Sequence, residues 1–230
     1  MQVRLVATTA VDAKVSELAA AVCVGREYRS YLVDYHQKRN DEALAKGLRV
    51  AVDSGHLGVL EHVSFTWLAQ GVSRALTHQL VRHRIASYDQ QSQRYCHINT
   101  SEDWYVVPPS IEKLTPKQKE EYYKAMHCIG LAYRRLLELD VPNEDARMVL
   151  PNACKSTILI TMNGRAFIEA AEKRICNRAQ WEIRELFIAM RNSIKTINPI
   201  VYEQAVPRCA KHGCIERKPC GYPWKEMDEP

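Results

Sequence analysis

Residues 60–84, LEHVSFTWLAQGVSRALTHQLVRHR, change period halfway along. From Leu60 to Val72 the text is rich in β-branched and aromatic residues and alternates at Val63, Phe65 and Trp67, the pattern of a half-buried strand. Ser73 then supplies a hydroxyl of the kind that caps a helix, and RALTHQLVRHR places Leu76 and Leu80 on one face. Gln79, Arg82 and His83 fall on neighbouring turns of another face. A strand that runs straight into a helix points to a mixed α and β domain, with charge gathering where the helix ends.

Upstream, apolar residues at helical spacing run from Val15 through Leu18, Ala19 and Val22, and again from Ala43 through Leu48 and Val52 to a stop at Gly55. Downstream, RYCHIN (94–99) and WYVVPP (104–109) read as strand-like, the second ended by its prolines. Thr115 with Pro116 opens a long amphipathic helix whose apolar side repeats at Tyr122, Met126, Ile129, Tyr133, Leu136 and Leu137. Pro142 opens a short helix closed before Pro151. STILITMN (156–163) reads as a strand, and GRAFIEAAEKRI (164–175) and RAQWEIRELFIAMRNSI (178–194) as two closing helices. The parts read as one helix-rich domain without internal repeats.

At 230 residues and 46% hydrophobic, the chain can bury a substantial core. No apolar stretch approaches the ~20 residues of a membrane span, and the amino-terminal apolar run is broken by Asp12 and Lys14, so the expected place is the cytoplasm. The net charge of +5 is too modest to argue for nucleic acid by itself. Of the eight cysteines, Cys23, Cys96, Cys128, Cys154 and Cys176 are scattered through the expected elements and read as reduced, small hydrophobes. Cys209, His212, Cys214 and Cys220 are close in sequence. Their C-x4-C-x5-C spacing lacks the paired C-x2-C of a zinc site, so no metal is expected and they are left as thiols or a redox pair.

Charge is concentrated in RHRIASYDQQSQRY, residues 82–95. Arginine is always protonated and presents a planar fork of donors, so this cluster fits a polyanion: a nucleotide, a dinucleotide or a nucleic-acid backbone. A solvated basic turn is the plain alternative. The uncharged partners Gln79, Ser87, Gln90, Gln91, Ser92 and Gln93 favour a ligand with bases and sugars as well as phosphate. Neither GxGxxG nor GxxxxGK[ST] occurs, so side chains must hold the anion. An RNA-binding or other basic nucleotide-binding module would want interleaved aromatic platforms, for which only Tyr88 and Tyr95 offer themselves. Phosphoryl transfer would want carboxylates for magnesium, and the stretch has Asp89 alone.

The same stretch resembles the signature RHRxxSxNxxSxRY of the flavin-dependent thymidylate synthases, matching at Arg82, His83, Arg84, Ser87, Ser92, Arg94 and Tyr95, with Asp89 where the family has asparagine. GHLGVLEHVSF (55–65), VPNEDARMVLP (141–151), TMNGR (161–165) and KRICNRAQWEIRE (173–185) resemble other segments of that family. The resemblance implies an α+β fold: a helix-rich single domain over residues 1–200, with a mixed, largely antiparallel sheet packed by long helices, and a cysteine-containing tail over 201–230. It implies reductive methylation of dUMP to dTMP, with carbon from methylenetetrahydrofolate and hydride from FAD reduced by NADPH, in a homotetramer that engages neither nucleic acid nor membrane.

Residue roles carry over from the same resemblance. Arg174, which cannot be a base, would stabilise negative charge developing on the uracil ring. Gln79, Arg82, Gln90, Ser92, Arg94 and Arg147 would bind dUMP. His56, Glu61, Arg82, His83, Arg84, Gln90, Asn163 and Arg165 would hold the flavin. Gly58 stands where relatives often have Ser or Thr, and Arg178 where some have histidine. Ser92 lacks a His and carboxylate arrangement and is not expected to be a nucleophile.

Overall fold

The computed structural model describes residues 1–9, Ser16, Ala19, 41–222 and Trp224, with the side chains of 41–45 left aside. The helix expected between Val15 and Val22 lies, apart from Ser16 and Ala19, outside the described residues, as does Cys23. In chain order the elements are β1 (Gln2–Thr8), α1 (Asp41–Asp53), a 3-10 helix (Leu57–His62), β2 (Ser64–Ser73), α2 (Arg74–Leu80), β3 (Ser87–Gln90), α3 (Pro109–Glu112) and α4 (Pro116–Glu138). They continue with α5 (Asn143–Ala146), a 3-10 turn (Arg147–Val149), β4 (Lys155–Asn163), α6 (Gly164–Arg174), α7 (Trp181–Ser193), α8 (Pro199–Gln204) and α9 (Arg208–Lys211). The strands form an antiparallel sheet in the order β1-β2-β4-β3. Helix and antiparallel sheet together make the expected α+β class.

Local chemistry explains most boundaries. Helix α1 stops in a Schellman turn: Gly55 N donates to Val52 O, His56 N donates to Ala51 O, and Gly55 has a φ of +84° that a side chain would strain. Strand β2 alternates as its sequence does, with Phe65, Trp67 and Ala69 fully buried. At Gly71, φ +71°, the parity shifts by one and Val72 becomes the buried residue. Ser73 Oγ accepts from Leu76 N at 3.0 Å, the cap expected from the sequence. Thr115 and Gln118 close a capping box at the start of α4.

Several expectations are corrected. The segment before β2 is first a 3-10 helix, so the strand begins at Ser64 rather than Leu60. RYCHIN is no strand: Arg94 N donates to Ser92 Oγ and Cys96 N to Ser92 O, which turns the chain instead of extending it. WYVVPP contributes one isolated antiparallel bridge, Tyr105 with Cys154. Strands β1 and β3 were not expected.

Among the described residues the chain gathers into two compact units, the first of residues 1–2, 69–82 and 88–159, the second of 3–68, 83–87 and 160–230. The first unit has a core of Ile98, Trp104, Met126, Tyr133, Ala146 and Cys154 beneath α4. In the second, Trp67 packs against Phe65 and Phe167, with Phe167 stacked on Phe187 at 5.9 Å between centroids, and Trp67 Nε1 donates to Ser193 Oγ at 2.9 Å. Arg191 is 1% exposed, which charge permits because its Nε donates to Tyr202 O at 3.0 Å and its guanidinium lies 3.7 Å from the Tyr202 ring centroid.

Helix α6 starts against the 3-10 helix with no room to spare. A methyl group on Gly164 would lie 2.8 Å from Val63 Cγ2 and 2.9 Å from Leu60 O. Since the second is backbone, relief requires the elements to part. Gly164→Ala is therefore expected to lower unfolding stability by about 1–3 kcal/mol in urea titration. Gly58→Ala, whose methyl meets nothing within 4 Å, should stay within about 0.5 kcal/mol of the parent. Equal stabilities would refute the crowding argument.

Candidate functional site

The residues singled out in the sequence divide between the two units. Gln79, Arg82, Gln90, Ser92, Arg94 and Arg147 lie in the first; His56, Glu61, His83, Arg84, Asn163, Arg165 and Arg174 lie in the second.

In the first unit the gathering point is Glu144, which the sequence reading missed. Arg94 Nε donates to its carboxylate at 2.9 Å, and Arg147 Nε donates to its backbone carbonyl at 3.0 Å. Two guanidinium groups from segments far apart in the chain thus meet at one residue. The Arg94 and Glu144 side chains are about half exposed, at 52% and 48%. An ion pair so wet contributes roughly 0–1 kcal/mol, so an incoming dianion can take the carboxylate's place cheaply. Arg94 also lies 5.4 Å from the Tyr95 ring centroid, and Ser92 Oγ accepts from Arg94 N, which ties the Ser and the Arg into one turn.

Gln90 is held differently. Its Nε2 donates to Thr77 Oγ1 at 3.1 Å and to Ser156 Oγ at 3.0 Å, joining β3 to α2 and β4 and leaving its carbonyl oxygen as the acceptor it offers a ligand. Tyr88 Oη donates to Leu80 O at 2.9 Å and pins the end of α2, where Gln79 is half-buried and Arg82 exposed. The buried thiol of Cys154 is pushed up by its burial and accepts from Gln93 Nε2, which makes it a structural cysteine.

In the second unit the central contact is between Arg174 and His83. Arg174 Nε donates to His83 Nε2 at 2.8 Å. An accepting Nε2 carries no proton, so the imidazole is the neutral tautomer with hydrogen on Nδ1. Burial, followed by the nearby charges of Arg174 and Lys173, lowers the His83 pKa to about 4 and keeps it neutral at physiological pH. The ring packs on Phe187 at 5.9 Å. The last residue of α6 is therefore held by a group that cannot repel it.

Arg165, in the first turn of α6, donates to Glu61 Oε1 at 2.7 Å and to Glu169 Oε1 at 2.8 Å. The structure thus joins two sequence-predicted residues, Glu61 and Arg165, and adds Glu169 one turn along. Asn163 caps α6, its Oδ1 accepting from Ala166 N at 2.8 Å. His56 and Arg84 are exposed. Arg178 is turned to the carboxy-terminal segment, donating to Lys218 O and lying 3.7 Å from Glu216. Among the described residues, no group of three or more His, Cys, Asp or Glu is arranged to hold a metal, and no helix is long and apolar enough to cross a membrane.

Residues 4–200 match the family model described as "Thymidylate synthase complementing protein". The chain is 43% identical over 200 residues to a flavin-dependent thymidylate synthase of Geobacter sulfurreducens, covering 86% of this chain and 84% of the relative. It is 37% identical over 235 residues to one of Clostridium tetani, covering 94% and 91%. Two solved structures share the fold. Thymidylate synthase X from Helicobacter pylori, solved with FAD and dUMP, superposes with a TM-score of 0.67 at 23% identity, covering 90% of this chain and 99% of that one. A UMP/dUMP methylase from Streptomyces cacaoi bound with 5-Br dUMP gives 0.74 at 24%, covering 90% and 96%.

Proposed function

We propose that this chain, which belongs to the flavin-dependent thymidylate synthase family and is an enzyme with FAD as its cofactor, methylates dUMP to thymidylate. The observation that carries the reading is the 2.8 Å hydrogen bond from Arg174 to a neutral His83. C5 of uracil becomes nucleophilic only as negative charge spreads over the ring. A guanidinium cannot remove a proton, but held at a fixed position it stabilises that charge without having to reorganise during the reaction. His83, with a pKa of about 4, is too weak a base to take a proton at neutral pH and serves to orient Arg174.

The phosphate of dUMP would take the place of the Glu144 carboxylate on Arg94, with Arg147 beside it; both guanidinium groups form charge-assisted hydrogen bonds stronger than neutral ones. Ser92, Gln79 and the Gln90 carbonyl oxygen supply uncharged contacts to sugar and base, and Arg82 a further cation. Arg94→Ala is expected to raise the KM for dUMP about 10- to 100-fold, with a smaller effect on kcat, because the phosphate is bound alike in ground and transition states. A variant with unchanged KM would remove Arg94 from the phosphate site.

The donor set of the second unit fits a flavin dinucleotide. Arg84 and Arg165 offer guanidinium groups for an anionic pyrophosphate, Arg165 is steered by Glu61 and Glu169, and Asn163 leaves the amino-terminal end of α6 well formed beside it. His83 and the exposed His56 offer imidazole edges. When bound, FAD reduced by NADPH supplies the hydride that turns the transferred carbon into a methyl group, and methylenetetrahydrofolate supplies that carbon. We take the working assembly to be a homotetramer in the cytoplasm, with residues 1–200 as the synthase domain and 201–230 as its tail.

The test is product formation. The purified protein is incubated with FAD, NADPH, dUMP and methylenetetrahydrofolate, each omitted in turn, and analysed for thymidylate by mass spectrometry. Thymidylate that disappears when flavin is stripped or NADPH withheld upholds the reading. A flavin-bound protein that makes none overturns it.

A further inference from the structure

Two segments of the second unit meet around a group of thiols. The link between α6 and α7 carries Cys176, Asn177 and Arg178, and the chain beyond α9 comes back over it. Arg178 donates to Lys218 O and faces Glu216, and Asn177 Nδ2 donates to Tyr222 O at 2.9 Å. Cys176, Cys209, Cys214 and Cys220 all contribute to the wall of one cavity of about 600 Å³.

Packing does not account for this grouping. Cys154 is what a packing cysteine looks like in this chain, fully buried, whereas Cys214 is exposed and the other three are partly so. All four are free thiols, and among the described residues no three His, Cys, Asp or Glu are placed to hold a metal. Two thiols suffice for a disulfide.

Hydrogen bonds select the pair. Cys220 lies between the two tethered residues, Lys218 and Tyr222, and its Sγ donates at 3.1 Å to the same Tyr222 carbonyl oxygen that Asn177 holds. The Cys220 thiol and the Asn177 side chain thus meet at one atom, next along the chain from Cys176. A disulfide demands two backbones lying close beside each other, which is what the tethers at 177 and 178 impose. Among the described residues, no hydrogen bond ties Cys209 or Cys214 to the link.

The surroundings name the oxidant. The charged residues of the wall are Lys173, Arg174, Arg178 and Arg208 against Glu172 and Glu216, a positive balance that draws a small disulfide bearing carboxylates. Cys220 has exposed neighbours, Pro219 and Gly221, whereas Cys176 follows buried Ile175, so such a reagent meets Cys220 first. We propose that Cys176 and Cys220 form a thiol pair which a small anionic disulfide oxidises, fixing the carboxy-terminal segment to the end of α6. The thiolate of Cys220 attacks one sulfur of the reagent, whose S–S bond breaks, and one small thiol leaves. The thiolate of Cys176 then attacks Cys220 Sγ and expels the second. Two protein thiols are oxidised, the reagent is reduced to two thiols, and these take up the two protons that the cysteines gave up. An excess of small thiol drives the same steps backward, so the pair follows the ratio of disulfide to thiol around it. This chemistry draws on the second unit alone and is independent of the reaction at the pyrimidine.

The FAD-loaded full chain, first reduced, is incubated with oxidised glutathione, quenched with iodoacetamide and digested for mass spectrometry. A peptide joining Cys176 to Cys220 within one chain is expected, and dithiothreitol should remove it. Exposed Cys128 of the first unit should give only the mixed disulfide. In the oxidised protein, native cleavage by trypsin after Arg217 should slow at least about tenfold, because a cross-link suppresses the local opening that cleavage needs. Cys176→Ser should stop at a glutathione adduct on Cys220. Asn177→Ala should slow the cross-link about tenfold while the adduct forms at a rate within twofold of the parent, since only the second step needs the two segments aligned. Cys209→Ser and Cys214→Ser should leave the yield within twofold. A parent that gives adducts without the cross-link, pairs Cys220 with Cys209 or Cys214, links two chains instead of one, or is cut as fast after oxidation overturns the proposal, as does a cross-linking rate indifferent to Asn177.

Discussion

Arg174→Ala should lower kcat for thymidylate formation by at least about 10²–10³ while the protein still purifies with flavin bound. The magnitude is that of deleting one fixed donor aimed at developing charge, where the lost interaction is worth more in the transition state than in the ground state. Flavin should remain because Arg84, Asn163 and Arg165, read as holding it, lie at other positions of the second unit, and His83, the one flavin group that Arg174 touches, keeps its imidazole. Arg174→Lys keeps the charge but loses the Nε donor that reaches His83 at 2.8 Å, so it should recover only part of the rate. There is also a readout independent of turnover. Burial is the larger cause of the lowered His83 pKa and the Arg174 charge the second, so in Arg174→Ala the imidazole, followed by NMR, should titrate higher than in the parent but still below an ordinary histidine. Loss of the flavin together with the rate would place Arg174 in the cofactor's pocket instead.

What the sequence disclosed, and what it withheld, follows from the range of the interactions involved. Ser73, Thr115 and Gly55 act on residues within five positions of themselves, and each does in the fold what its local text implies. Strand β1 carried a readable alternation, Val3 and Leu5 half-buried between exposed Gln2 and Arg4, but so short a strand needs its neighbour to be recognised. Strand β3, SYDQ, has no apolar face at all and exists because β4 is there to pair with it. The site divides in the same way. Glu169 is four residues after Arg165 on one helix, an ion-pair spacing that could have been noticed, and Glu144 stands three before Arg147. No local signal joins His83 to Arg174 across 91 residues, or Arg94 to Glu144 across 50. The family resemblance offered His83, Arg94 and Arg174 their particular roles and Glu144 none, and it could not say that one would hold another.

His83→Phe is the variant that tests that holding, and its pH dependence should be as informative as its rate. Phenylalanine keeps a ring against Phe187 but offers Arg174 no acceptor, so kcat should fall about 10- to 100-fold with the KM for dUMP little changed; His83→Gln, whose amide oxygen can accept, should recover part of it. The folded-state pKa of His83 is about 4 against an ordinary 6.5. Because the unfolded chain then binds the extra proton first, the stability due to the neutral imidazole is fully present above pH 6.5 and is lost as pH falls from there toward 4. The whole swing is at most about 3 kcal/mol, from 1.36 kcal/mol per pKa unit. Urea unfolding of parent and His83→Phe between pH 7.5 and 4 should therefore show the parent losing stability faster, since other titrating groups largely cancel in the difference. Among the described residues, Arg174 and Lys173 face His83 as cations and Phe187 as an uncharged ring, so protonating the imidazole adds like charge beside them. Parallel pH profiles for the two proteins would mean that folding leaves the His83 pKa at its ordinary value, so that burial and the charge of Arg174 do not act on the ring.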